Sequence, residues 1–212
     1  MWVEHRRYEI LFASFLLLIF GNTFSFGRSV LIDRFFVVKN MLVGLVVFYR
    51  NKNLRIAFIC LNVLHFAIEL LSNRAFHFDS QSWKGIIYLL YFGLVSVEVY
   101  RKIFQTKHVS HEMIAAVLCG FVLLCLIGTF LFNQIEIAHS GSFSNISQGR
   151  SKINDLNYFS FITVLTIGYG DILPQTLIAK RAVMLMGLAG HFYTVFVTGI
   201  VIGKYLNNRK GC

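Results

Sequence analysis

Long apolar runs separated by short polar linkers dominate the pattern along this chain of 212 residues. A helix rises about 1.5 Å per residue, so about 20 residues cross the roughly 30 Å hydrocarbon layer of a bilayer. The pattern predicts six transmembrane helices, at approximately Tyr8–Phe24, Phe35–Phe48, Leu54–Leu71, Trp83–Ile103, Met113–Phe132 and Leu177–Tyr205. The second run is short and contains Lys39.

A seventh apolar stretch, Tyr158–Ile167, is too short to span and is predicted to be a re-entrant segment. Asn154 and Asp155 favour the start of a short helix just before it. The carbonyl end of such a helix points into the membrane, where its partial negative charge favours a cation. The fold class expected is therefore an all-α membrane protein with six spans and one re-entrant pore helix.

The charged residues bear on topology more than on a binding partner. The net charge is +10, but the Lys and Arg residues are spread between apolar runs and form no dense patch, which argues against a nucleic-acid partner. If the N-terminus is cytoplasmic, the inner regions hold eleven cations and the outer regions eight. This bias predicts that both termini lie in the cytoplasm of a protein integral to the plasma membrane or the bacterial inner membrane.

Two glycines surround a tyrosine in "TIGYG", Thr166 to Gly170, directly after the re-entrant helix. Glycine adopts backbone angles that other residues avoid, so this run lets consecutive carbonyls point the same way. Irregular backbone at membrane depth must line a watery path or lie within protein. A ring of carbonyls from Thr166, Ile167, Gly168 and Tyr169, with the Thr166 hydroxyl below it, could replace the water shell of a dehydrated ion.

The six residues "TIGYGD", Thr166 to Asp171, resemble the selectivity-filter signature of the potassium-channel pore family. The context agrees, with an aromatic pore helix before the motif, an outer helix further upstream and a glycine-bearing inner helix after it. The resemblance implies potassium as the permeant ion, no cofactor and no enzymatic activity. It implies a filter from Thr166 to Gly170, supported by Thr163 and Asp171. Ile162 stands where some relatives place a carboxylate, so Asp171 lacks that partner.

The last apolar run is a long helix that contains four glycines. Counted from the filter, Gly190 falls where members of the resembled family have a hinge glycine, so the resemblance implies a bending point there. Thr194 and Thr198 follow at i+4 and i+8 on the same face, which predicts that their hydroxyls line the cavity below the filter. Packing against neighbouring helices is the alternative explanation for these small residues.

The front half resembles six-helix channels only in helix count and topology. A voltage sensor needs a cation at every third position, because each charge moved through the membrane field is worth about 2.3 kcal/mol per 100 mV. The fourth run carries cations only at its ends, so steep voltage gating is not expected. We expect a sensor-like four-helix domain at 1–107 and a pore domain at 108–212.

One filter segment per chain predicts a homotetramer around a central axis, within a lipid bilayer. The alternatives are a weakly selective cation channel on the same scaffold, and a cation-binding transporter or accessory subunit. The sequence leaves open the gating stimulus, including an unknown ligand or accessory subunit. It also leaves open whether Lys39 pairs with Glu69 or Glu98, and whether Asn145 in "NIS" is glycosylated.

Overall fold

The computed structural model describes residues 6–21, 43–44, 52–72, 80–106 and 109–209. These residues form helices α1 (Arg7–Phe20), α2 (Lys52–Ser72), α3 (Ser80–Gln105), α4 (His111–Ala138), α5 (Lys152–Val164) and α6 (Leu177–Arg209). No strand occurs in these ranges, and the pairing of Phe143 with Pro174 is an isolated bridge. The all-α prediction is therefore confirmed. Nearly all of the predicted second span, and with it Lys39, lies outside the described residues.

Two helices of the described part, α4 and α6, are long and apolar enough to cross a membrane. Their surroundings within the chain differ. The most apolar stretch of α4 is 56% buried by the rest of the chain, whereas that of α6 is only 17% buried. Helix α4 is therefore a packed element, and α6 presents most of its apolar surface outward.

The chain divides into two compact units. The first comprises residues 1–64, 94–122 and 204–212, and the second comprises residues 65–93 and 123–203. Each unit includes parts of both predicted domains, and the predicted boundary after residue 107 stays a prediction.

The first unit is held together by apolar burial and by an ion-pair cluster. Tyr8 and Leu11 of α1 are fully buried, in a core that includes Val95 and Val99 of α3 and Cys119 of α4. The Cys119 thiol donates to the Tyr8 carbonyl at 3.3 Å.

The ion-pair cluster of the first unit centres on Glu112 at the start of α4. Its carboxylate lies 2.6 Å from Lys102 Nζ and 3.5 Å from Arg7 Nε. At the other end of the chain, Lys204 Nζ donates to the Ile103 carbonyl at 2.7 Å. The last turns of α6 and α3 are thus joined directly.

The second unit packs α3 and α5 against α4. The ring of Phe130 on α4 lies 4.8 Å from that of Tyr88 and 5.5 Å from that of Phe92, both on α3. Gln134 Nε2 donates to the Ser82 carbonyl at 2.8 Å. Helix α4 therefore serves as the central element on which the candidate site is built.

Candidate functional site

The site begins with α5, the helix that overlaps the predicted re-entrant segment and ends three residues before that segment does. Helix α5 starts at Lys152, directly after a 3₁₀ turn at Gly149–Ser151. The prediction that Asn154 and Asp155 cap this helix was wrong, because both lie inside its first turn. The Asp155 carboxylate instead accepts the Ser147 backbone N–H at 2.7 Å, which fastens the preceding loop to the helix.

Small polar side chains hold α5 against α4. Ser160 is fully buried, and its hydroxyl donates to the Cys125 carbonyl at 2.6 Å. Thr129 Oγ1 lies 3.0 Å from both the Cys125 carbonyl and Asn157 Oδ1. A side chain at Gly128 would collide with Ser160 Oγ, so the glycine permits this close approach.

Three phenylalanines pack together beside the middle of α5. The ring centroids of Phe132, Phe143 and Phe159 lie 5.3 to 5.5 Å apart, and all three side chains are buried. Pairs at this separation add to the free energy of apolar burial. The cluster joins α4, the loop after it and α5 at one point.

The chain leaves α5 through a turn that binds the next segment to the helix end. The backbone N–H of Thr166 donates to the Thr163 carbonyl at 3.0 Å. Those of Ile167 and Gly168 both donate to the Ile162 carbonyl, at 2.8 and 3.3 Å. The amide groups of the first three predicted filter residues therefore face the pore helix, and the predicted support residue Thr163 contributes its carbonyl.

The predicted filter, residues Thr166 to Gly170 (the filter segment), has a backbone whose φ angles alternate in sign. The φ angles of Thr166, Gly168 and Gly170 are 58°, 58° and 79°, whereas neither Ile167 nor Tyr169 has a positive φ. Alternation between positive φ and ordinary φ lets successive carbonyls point to the same side. Among the described residues, none donates a hydrogen bond to the carbonyls of 166–170. This row of carbonyls is therefore available to a cation.

Positive φ at Thr166 is a strained conformation for a residue with a branched side chain. At Gly168 no atom would obstruct an added Cβ, so the requirement for glycine comes from its φ and not from crowding. The five filter residues are all exposed on the single chain, and Tyr169 is 71% exposed.

Asp171, directly after the filter, has a partner that the sequence did not reveal. The Tyr158 hydroxyl of α5 donates to Asp171 Oδ2 at 2.7 Å, while Ile162 is buried. This bond lowers the pKa of Asp171 and raises the pKa of Tyr158, because it stabilises the carboxylate and the protonated phenol. Asn145 Nδ2 also donates to the Asp171 carbonyl, at 2.8 Å.

The loop after α4 supports the segment that follows the filter. The Ser144 N–H donates to the Leu173 carbonyl at 2.9 Å, and the Gln175 N–H donates to the Ser142 carbonyl at 2.8 Å. The loop is shaped by Glu136, a buried residue near the end of α4. Its carboxylate accepts the N–H groups of Gly141 and Phe143 at 2.8 and 3.1 Å.

Sequence reasoning missed Tyr158, Asn145 and Glu136, whose hydrogen bonds hold Asp171 and the loop after α4. Only Glu136 left a signal, because a carboxylate in so apolar a helix needs hydrogen-bond donors nearby. The other two make contacts across 13 and 26 residues, which no local pattern predicts.

The inner-helix residues lie on α6. A Cβ at Gly190 would collide with the Val164 carbonyl oxygen and come within 2.9 Å of Val164 Cγ1 and 3.0 Å of its Cα. Gly190 therefore permits close contact with the end of α5, and its role as a hinge stays a prediction. Thr194 and Thr198 are exposed, and the Thr194 hydroxyl donates to the Gly190 carbonyl at 3.0 Å. Their place in a cavity also stays a prediction.

No group of three or more His, Cys, Asp or Glu side chains in the described ranges could hold a metal ion. A cation at this site would have to be held by backbone oxygens.

In the comparison with known protein families, a family model described as an ion channel matches residues 116–207. The match supports an ion channel. It covers α4 from Ala116 onward, α5, the filter segment and α6 as far as Asn207, which is less than half of the chain. A match to an ion-channel model supports a membrane protein, and it implies ion conduction and not an enzymatic reaction. Comparison with curated proteins and with solved structures found no match.

Proposed function

We propose that this protein is a potassium-selective channel, in which four copies of the chain surround one pore and K⁺ passes through a ring of carbonyls from residues 166–170. The observation that carries the proposal is the alternating φ of these five residues together with the absence of described donors to their carbonyls. Carbonyl oxygens in such a row replace the hydration shell of K⁺ without holding the ion so strongly that it cannot leave.

The hydrogen bonds at both ends of the filter segment also support selectivity for one ion. At its start, the backbone N–H groups of Thr166, Ile167 and Gly168 donate to carbonyls at the end of α5. After it, Asp171 is held by Tyr158 and Asn145. A filter supported at both ends keeps its carbonyls at a spacing that suits one ion size, whereas a loose filter adapts to several.

The exposed surface of α6 supports the tetramer. Large apolar side chains along α6 are more than half exposed, among them Met184, Leu185, Leu188, Val195 and Phe196. A chain with one filter segment cannot close a carbonyl ring alone, and neighbouring copies would cover part of this surface. Lipid would cover the rest. The proposal therefore includes six spans in each chain, with both termini in the cytoplasm.

We further propose that the channel is not steeply gated by voltage. Lys84 lies near the start of α3, and Arg101 and Lys102 lie in its last turns, with no cation between them. A helix with cations only at its ends moves little charge through the membrane field.

The proposal is tested by ion flux into liposomes that contain the purified full-length protein, together with the mass of the detergent-solubilised particle. We expect a particle of four chains, and uptake driven by a K⁺ gradient but not by an equal Na⁺ gradient. Equal uptake of both ions would favour a weakly selective cation channel. A monomer that binds K⁺ but passes neither ion would favour a cation-binding transporter or accessory subunit.

A further inference from the structure

A histidine of the second unit, His191, lies on α6 directly after Gly190 and is exposed on the single chain. Its neighbour fixes its depth. A Cβ at Gly190 would lie 2.9 Å from Val164 Cγ1, so Gly190 is packed on the last residue of α5. Val164 precedes Thr166, the first residue of the filter segment, by only two positions. His191 therefore lies near the level at which α5 ends and the filter segment begins.

The side of α6 that carries His191 also carries two hydroxyls. Successive helical residues are about 100° apart around the axis, so His191, Thr194 and Thr198 lie within about 60° of one another. All three are exposed on the single chain. Large apolar side chains, 48% to 63% exposed, are centred about 150° away around the helix: Leu185, Phe192 and Phe196.

This difference in polarity distinguishes the two sides of α6. Histidine inside a membrane span almost always faces the bundle interior or a water-filled cavity, because an ionisable side chain is costly in lipid. Large apolar side chains have no such cost. The stripe between the two sides faces the chain itself, since Met186, Gly190 and Val197 are buried. In a channel, the side with His191 is therefore the one that faces the cavity below the filter segment.

Symmetry turns one histidine into a set of ligands. In the tetramer of the proposed function, on which this inference rests, rotation repeats His191 four times at one height and at one distance from the axis. An ion on the axis therefore meets four equivalent imidazoles in one plane. The described part of a single chain has no group of three or more His, Cys, Asp or Glu that could hold a metal, and the neighbouring copies would supply the missing ligands.

We propose that the four His191 side chains bind a divalent transition-metal cation in the cavity, and that the bound metal blocks K⁺ conduction. Neutral imidazole is a common ligand of Ni²⁺, Cu²⁺ and Zn²⁺, whereas K⁺ is held by carbonyl oxygens. Four nitrogens in one plane match the square-planar or tetragonal geometry of Ni²⁺ and not the tetrahedral geometry of Zn²⁺. The site should therefore bind Ni²⁺ more tightly than Zn²⁺. A divalent ion on the axis occupies the path of K⁺ and repels it.

The first test is equilibrium dialysis of radioactive Ni²⁺ against the full-length protein in detergent, purified without a polyhistidine tag. We expect one tightly bound Ni²⁺ per four chains, displaced by Zn²⁺ only at higher concentration. His191→Ala removes all four ligands and should raise the Kd more than about a hundredfold, because losing even an outer partner of a metal ligand costs roughly 10–100-fold. The controls His111→Ala and His139→Ala remove exposed histidines at the two ends of α4 and should leave this Kd unchanged.

The second test is the current of the same protein in a planar bilayer, recorded first in chelator and then with Ni²⁺ in one chamber. The cavity lies on one side of the filter only, so Ni²⁺ should block from one chamber and not from the other. His191→Ala should need a more than about hundredfold higher Ni²⁺ concentration for half block, as in dialysis. A K⁺-selective current in chelator supports the proposed channel whatever Ni²⁺ does. Its absence would count against the channel, and the dialysis would still decide the metal site.

Three results would overturn the metal site. The first is the lack of a site that binds one Ni²⁺ per four chains in wild-type protein that elutes as one species. The second is Zn²⁺ binding as tightly as Ni²⁺, because four coplanar imidazoles would then not be the ligands. Neither result depends on the folding of a variant. The third is a Kd that rises as much in His139→Ala as in His191→Ala, since the metal would then be held elsewhere.

Discussion

Replacement of Gly190 by alanine tests the contact between α6 and the end of α5. The added methyl group would collide with the Val164 carbonyl oxygen and lie 3.0 Å from Val164 Cα. Both atoms belong to the backbone, so relief requires a shift of one helix against the other. Overpacking of this kind costs roughly 1–3 kcal/mol. Alanine is favoured over glycine inside a helix by about 1 kcal/mol, so the net loss of stability is about 0–2 kcal/mol.

A matched control separates the overpacking cost at Gly190 from the gain in helix propensity that any glycine-to-alanine change brings. Gly187 lies one turn earlier on α6, and an added Cβ there would meet no atom within 4 Å. Gly187→Ala should therefore stabilise the protein by about 1 kcal/mol, and the two variants should differ by the overpacking cost of roughly 1–3 kcal/mol.

The assay for both variants is equilibrium unfolding in mixed detergent micelles. If Gly190→Ala is as stable as Gly187→Ala, the contact with Val164 does not limit the approach of α6. The reason for a glycine at position 190 would then have to be bending of α6 alone.

Further predictions concern the hydrogen bonds around the filter segment. Tyr158→Phe removes the bond to Asp171 and should reduce sustained K⁺ current severalfold. In the wild type the lowered pKa of Asp171 keeps its carboxylate charged around neutral pH, and the raised pKa of Tyr158 keeps its phenol protonated there, so selectivity should stay constant as the pH is varied around neutrality. Ser160→Ala removes a buried hydrogen bond to Cys125 and should lower the free energy of unfolding by about 1 kcal/mol in the same micelle assay; an unchanged value would refute the anchoring role.

The parts of the fold with strong local signals could be predicted from sequence. The long apolar runs predicted as the last two spans form most of α4 and α6, and the first part of the short run Tyr158–Ile167 forms the second half of α5. The filter segment was recognisable because glycine at Gly168 and Gly170 meets a backbone requirement that few residues satisfy, and both have positive φ. Thr166 also has positive φ, which its residue type does not predict.

The supports around the filter could not be predicted, because they depend on contacts between distant segments. Glu136 binds the loop that follows α4, and Tyr158 reaches Asp171 from the middle of α5. The start of α5 was misjudged for a related reason. Asp155 resembles a capping residue, but its carboxylate bonds to Ser147 in the preceding loop instead of the amides of its own helix.

The central claim is that carbonyls of the alternating segment select K⁺. The most direct test is the reversal potential of the purified protein in a planar bilayer, with K⁺ on one side and Na⁺ on the other. We predict a value near the potassium equilibrium potential for the wild type. We also predict its loss in Gly168→Ala, because alanine rarely adopts the φ of 58° found there. A robust current that reverses near zero in the wild type would contradict the claim.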